Sequence, residues 1–387
     1  MQRTVDPSEH RRFLRQSGFT FALALLVIAG FNAVVDPYDV YRLPGPGAAA
    51  FDGHRPAMGS RITKLETIRR GPIDVLFVGS SRVEVGLDPA HPAFDGRRAY
   101  NAGMSGCWLE ESLAVIDYAL AHQPIEELIL LLDFSYWETG RPPSQDFATA
   151  RHAPNFNPVD YHGRLLLGSE TIERSFETIE MRTQDEAGEV RGGLLVRSLK
   201  PDGVAQRHIF EVTMAERGLS ERFTYNPSAT DALAAVLQRA RERGVRVTLV
   251  LTPTHAVRLV NFERRGLWGA FERWKRELVA RVEQINAAES PGPAVALWDF
   301  STFDPPNTEP IPAAGDTETV MRWYWDPGHF RPALGDRVLS RVTGTAADDA
   351  TFGTQLAGES LGAHLSRERQ RRAAYIAEHP NDAALVE

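Results

Sequence analysis

From residue 73 onward the chain alternates short, mainly apolar runs with stretches of helical periodicity. The runs are 73–78, 128–133, 245–251 and 295–300, with a shorter one at 98–101. Apolar runs without polar alternation fit strands covered on both faces. Residues 111–121 place Leu113, Ile116, Ala119 and Leu120 on one helical face, and 232–243, 271–285 and 332–342 read likewise. Strands separated by helices predict a three-layer α/β/α fold around a mainly parallel sheet, with ligands at the strand C-terminal ends. Residues 139–226 break the rhythm. They are rich in charge, Pro and Gly, and read as an insertion, either a lid or small subdomain or a plain surface excursion. No internal repeat is evident.

Residues 18–35 hold no charge and only Thr20 and Asn32 as polar side chains. As a helix they reach roughly 27 Å, close to the hydrocarbon thickness of a bilayer. Arg3, Arg11, Arg12 and Arg15 precede the stretch, and Asp36 and Asp39 follow it. The positive-inside bias predicts a cytoplasmic 1–17, a transmembrane anchor at 18–35 and the body outside. A cleaved signal peptide ending at Ala33 would put Phe31 at −3, where a small residue is expected, so the uncleaved anchor is favoured. A buried soluble helix is the third reading. Residues 36–70, with Pro37, Pro44, Gly45 and Pro46, read as a connector. Residues 71–345 read as the α/β domain and 346–387 as a helical tail, whose charged helix at 365–377 is solvated or packed.

Composition narrows the function classes. The 387-residue chain is 43% hydrophobic and 24% charged, which is globular rather than disordered. A net charge of −8 without a dense basic run argues against a nucleic-acid partner. The single cysteine, Cys107, excludes an intramolecular disulfide and a cysteine-based zinc site. No His-x-x-x-His pair is present, and neither a metal nor a cofactor is expected. Gly103 and Gly106 lack the first glycine of a dinucleotide fingerprint.

Three segments carry candidate chemistry. Gly79-Ser80-Ser81 follows the first strand, where a turn lifts a hydroxyl out of the sheet and leaves backbone N–H groups near it. The plainer reading is that both serines cap a helix. Asp326 and His329 flank Pro327 and Gly328 in a turn, so that Asp326 can hold Nδ1 and leave Nε2 as a base; an incidental surface turn is the alternative. Asn101 to Gly106 is glycine-rich, which suits either an N–H facing an oxyanion or a loop without a ligand. Arg82 suits an anionic sugar unless Glu84 neutralises it. His255 follows a strand and suits the same cleft or a satisfied loop position. Asp299, at a strand end, suits a sugar or a turn cap. Trp323, Tyr324 and Trp325 suit sugar stacking or core packing.

In order and spacing these segments resemble the SGNH (GDSL-like) hydrolase superfamily. The resemblance implies Ser81 as nucleophile, His329 as base, Asp326 as its orienting acid and the Gly106 N–H in an oxyanion hole. The third block departs from the family pattern: Leu131-Leu132-Asp133-Phe134-Ser135 offers no asparagine, so Ser135 or a backbone group would replace that donor. The chain is also similar to membrane-anchored envelope proteins of this type, such as the alginate O-acetylation and teichoic-acid D-alanylation proteins. Through Val35-Asp36-Pro37-Tyr38, Leu132-Asp133-Phe134 and Trp298-Asp299-Phe300-Ser301 it resembles an uncharacterised bacterial family of that type. The match spans residues 15–345 and covers the insertion and tail poorly. It implies a single-pass protein of the bacterial inner membrane with a periplasmic or extracellular body. The implied activity is that of a serine acyl-esterase or O-acyltransferase on acylated or acceptor polysaccharide, beside a membrane-bound acyltransferase. The alternative, motivated by the missing asparagine, is a catalytically inactive glycan-binding or scaffold protein of a polysaccharide-synthesis complex.

Overall fold

The computed structural model describes residues 7–140, 144, 147, 150–184, 190–197, 202–216, 223–345 and 351–385. In chain order the strands are β1 (Val75–Val78), β2 (Ala99–Asn101), β3 (Glu127–Leu132), β4 (Val190–Arg191), β5 (Leu194–Leu195), β6 (Arg246–Leu251), β7 (Ala296–Asp299) and β8 (Thr354–Gln355). The helices begin with α1 (Pro7–Val35), α2 (Pro46–Ala49), α3 (Arg61–Arg70), α4 (Ser81–Gly86), α5 (Leu109–His122), α6 (Pro158–Leu167) and α7 (Ser169–Gln184). They continue with α8 (Gly203–Glu216), α9 (Ser228–Glu242), α10 (Ala256–Arg264), α11 (Trp268–Ala287), α12 (Pro332–Thr343), α13 (Gly358–Glu378) and α14 (Pro380–Ala384). The chain forms two compact units: Met1–Glu66 with Ala148–Glu189, and Thr67–Phe147 with Val190–Glu387.

The second unit is an α/β fold. Its sheet runs β2-β1-β3-β6-β7-β8, with the first five strands parallel and β8 antiparallel to β7. β1 and β3 are buried along their whole length, as a strand covered by helices on both faces must be. Helices flank the sheet: α9 packs on α5 and α11, and α12 packs on α4. Phe77, Val83, Ile129, Val250, Val257, Tyr324, Phe330, Leu334 and Val338 share one apolar cluster. That core joins β1, α4, α10, α12 and the segment before α12. Because the strands are parallel, Val78, Leu132, Leu251 and Asp299 end on one edge of the sheet, where an α/β fold presents its ligand site.

The tail is not an appendage. β8 pairs with β7 (Trp298↔Gln355, Asp299↔Thr354), and α13 packs on α11 and α10. The polar residues of α13 are satisfied inside: His364 Nε2 lies 2.7 Å, and Lys275 Nζ 2.6 Å, from Asp299 Oδ2. The α/β unit therefore extends past residue 345. Asp299 is a buried ionic centre that also caps a turn, its Oδ1 accepting from Ser301 N (2.9 Å), rather than a sugar ligand. Burial alone would raise its carboxyl, but Lys275 and His364 outweigh that and hold it below the usual range.

The expected 139–226 insertion is also divided. Ala148–Glu189 belongs to the first unit, whereas Val190 onward returns to the second. There β4 and β5 form a small hairpin whose Gly192 carbonyl accepts from Asn101 N (2.9 Å), and α8 buries Phe210 and Met214 in the core.

The first unit contains the long apolar helix. Within α1, the 26 residues His10–Val35 contain an 18-residue window of mean hydropathy 2.2, enough by length and composition to cross a membrane. Residues 36–66 are built rather than loose. Asp36 Oδ1 accepts from Val40 N (2.7 Å), and Oδ2 from Tyr41 N and Arg42 N (2.9 Å each). Arg55 Nε donates to Asp36 O (2.8 Å). Asn32 bonds Leu166 O and Ser175 Oγ (2.9 Å each), fastening α6 and α7 to the end of α1. Buried amides take partners wherever the fold supplies them, and here they come from segments over 130 residues away.

Candidate active site

β1 ends in Gly79, where the chain turns so closely that a Cβ would lie 2.5 Å from Val83 Cγ2. Ser80 is the N-cap of α4, accepting from Arg82 N at 3.4 Å. Ser81 is the first residue of α4, a position whose N–H has no acceptor within its own helix. Its side chain is half-buried.

The other half of the site is a hairpin. Tyr324 and Phe330 bridge antiparallel, Trp325 N donates to His329 O (2.9 Å), and Arg331 N donates to Trp323 O (2.7 Å). Between them Asp326 folds the turn: its Oδ1 accepts from Gly328 N (2.8 Å) and His329 N (2.9 Å). Asp326 Oδ2 lies 2.7 Å from His329 Nδ1, and His329 Nε2 lies 2.7 Å from Ser81 Oγ. Ser81 and His329 are 248 residues apart in sequence. Close packing holds them together: Phe330 lies against Gly86, and Gly335 of α12 rests on the Gly86 carbonyl.

Asp326 sets the tautomer. Burial pushes its carboxyl upward, but the His329 charge, the ring hydrogen bond and two backbone N–H groups outweigh that and hold it well below the usual range. An ionised carboxylate only accepts, so His329 Nδ1 carries the hydrogen and Nε2 presents its lone pair to the Ser81 hydroxyl.

Asp133, directly after β3, forms a second network. Its Oδ2 accepts from Ser80 Oγ (2.7 Å) and its Oδ1 from Arg82 Nη1 (2.9 Å). Arg82 also reaches Thr254 Oγ1 at 3.3 Å. Ser80, Arg82, Asp133 and Thr254 are all buried. One carboxylate thus grips both neighbours of Ser81. The available sequence signal was a short acid directly after an all-apolar strand; its partners, more than 50 positions away, left no trace there.

Several expected ligands sit elsewhere. Arg82 is engaged by Asp133 rather than by Glu84, which instead accepts from Ser105 Oγ (2.6 Å). That contact draws the 102–107 loop onto α4, where a Cβ on Gly103 would lie 2.5 Å from Glu84 N. Asn101 braces the same helix, its Nδ2 donating to Val83 O (2.7 Å) and Leu87 O (2.8 Å). Gly106 lies on this loop, exposed, at φ +67 with open space beside it. Ser135 lines a cavity of about 10 Å³ with Arg82, Asp133, Thr254 and Arg258, room for about one water.

His255 is not a cleft residue. It is fully buried and caps α10, with Nδ1 accepting from Val257 N (3.3 Å) and Nε2 donating to Glu309 O (2.8 Å). Phe210 and Tyr324 meet its ring edge-on at 5.0 and 5.2 Å. Both nitrogens are used, and burial lowers its pKa to about 4 despite the bond to Glu309. Tyr324 is core, donating to Asn307 Oδ1 (2.6 Å). Trp323 and Trp325 carry the guanidinium groups of Arg322 and Arg331 at 4.3 and 4.0 Å from their ring centroids, so those faces are occupied.

Among the described residues, no three His, Cys, Asp or Glu side chains gather as metal ligands would. No family model matches the chain, and no curated protein matches it.

Proposed function

We propose that this chain is a membrane-anchored serine acyl-esterase or O-acyltransferase of the SGNH type, acting on an acylated or acceptor polysaccharide of the cell envelope or an exopolysaccharide. One observation carries the reading: Ser81 Oγ lies 2.7 Å from His329 Nε2, and Asp326 Oδ2 lies 2.7 Å from Nδ1 of the same ring. In this reading Ser81 Oγ attacks the acyl carbon while its proton passes to Nε2. The resulting oxyanion accepts from the N–H groups of Ser81 and Gly106. Collapse expels the sugar oxygen, which takes the proton back from His329 and leaves an acyl-serine. Water or a second sugar hydroxyl then releases the acyl group by the same steps. The arginine-rich start and apolar stretch of α1 support a single-pass placement in a bacterial inner membrane, body outside, where a membrane-bound acyltransferase would be the natural supplier of acyl groups.

The scaffold alternative draws on the absent asparagine, but it would be favoured by a broken Ser–His contact, and Ser81 Oγ lies 2.7 Å from His329 Nε2. The test is hydrolysis of a short acyl ester by the full chain in detergent, because Asn32 ties α1 to α6 and α7. Wild type should turn over and label with a fluorophosphonate at Ser81; Ser81→Ala should do neither. Equal rates for the two proteins would sink the catalytic reading.

A further inference from the structure

Two apolar side chains of the first unit face solvent at the turn where α1 ceases to be exposed. Most side chains of α1 are exposed up to Gly30; Phe31 is partly covered, and Asn32 and Val35 are buried. The cause is local. Asn32 is bonded to Leu166 O and Ser175 Oγ, and the Phe31 and Phe176 rings lie 5.4 Å apart. The C-terminal end of α6 and the middle of α7 are therefore pinned at residues 31–32. Leu167, next to Leu166, is 42% exposed, and Phe176 is 61% exposed.

Single exposed apolar residues are ordinary; the position of this pair is not. The exposed uncharged part of α1, from Gly18 to Gly30, is roughly 20 Å long, and a bilayer covering it ends at the turn carrying Phe31 and Asn32. Leu167 and Phe176 then stand at its boundary. Exposed Arg164, Glu170, Glu173 and Glu180 on the same two helices keep them out of the hydrocarbon but not out of the headgroup layer. α7 is richer in Glu than in Arg, so apolar insertion, not attraction to anionic lipid, would bind it.

We propose that α6 and α7 form a membrane-interface element, with Leu167 and Phe176 seated in the headgroup–acyl boundary beside α1. The proposal rests on α1 spanning the bilayer. The test uses the full chain carrying Cys107→Ser, reconstituted in phosphatidylcholine vesicles, with single nitroxide-labelled cysteines replacing Leu23, Leu167, Phe176 or Glu242. Spin-label collision with oxygen and with a water-soluble nickel chelate reads the surroundings of each site. Oxygen should dominate at 23, 167 and 176 and nickel at 242, with added anionic lipid changing nothing. Oxygen at 23 with nickel at both 167 and 176 overturns the interface element and leaves the span standing. Nickel at 23 as well overturns the span and the proposal together. Two label sites guard against one substitution failing to fold.

Discussion

The ring of Phe330 occupies the space that a side chain on Gly86 would need: a Cβ there would lie 2.2 Å from Phe330 Cε2. Phe330 directly follows His329, and Gly86 closes the helix that Ser81 opens. The two halves of the candidate site therefore meet through this contact as well as through their own hydrogen bond. Gly86→Ala should overpack the junction, costing about 1–3 kcal/mol in unfolding experiments and a larger share of ester turnover. Adding Phe330→Leu should restore part of both; purely additive losses would show that the contact does not align the site.

Asp133→Ala should leave the Arg82 guanidinium buried without its carboxylate, a loss of about 3–5 kcal/mol. Arg82→Met in the same protein should recover most of that stability. Turnover should stay low, because Ser80 no longer has an anchor. Recovery of stability and turnover together would show that Asp133 only balances charge.

Asp326→Asn should leave the fold intact and lower kcat about 10³–10⁴-fold, since an amide can favour the tautomer with Nδ1 unprotonated. In the wild type Asp326 is held ionised below the ordinary carboxylate range. Asp326 should therefore add no carboxylate limb to the rate profile above pH 4, and the appearance of one would contradict the assignment.

His255 makes stability depend on pH. Its pKa is lowered from 6.5 to about 4, so the unfolded chain binds more protons between those values. Its contribution is full above pH 6.5 and fades as pH falls toward 4, on the order of 3 kcal/mol in all. His255→Gln should flatten denaturant midpoints measured across that window; an unchanged slope would place the dependence elsewhere.

Periodicity made the parallel sheet legible, because β1, β3 and most of β6 are covered on both faces and therefore read as mainly apolar runs. The motif segments around Ser81 and His329 stood out because turns after strands need glycine, proline and short polar residues. What escaped was polar and distant. Asp133 is defined by Ser80 and Arg82, Asn32 by Leu166 and Ser175, and Asp299 by Lys275 and His364. Such pairings have no repeat to betray them. His255 kept two readings because a histidine after a parallel strand looks the same whether its nitrogens face a cleft or a buried carbonyl, and the structure shows the satisfied one. The tail helix read as solvated or packed because its arginines mask a face that buries Leu361, His364, Leu365 and Tyr375, and it is packed.

The edge strand β8 has a consequence for how the protein is made. β7 is complete at residue 299, but the strand that covers its free edge begins at 354, and the histidine that joins Lys275 on Asp299 is residue 364. During synthesis the sheet must wait with an unpaired edge and an incompletely compensated buried carboxylate until residues 354–364 have left the ribosome. Truncations from the C-terminus should thus act as folding lesions that aggregate in the cell, long before they reach any residue near Ser81.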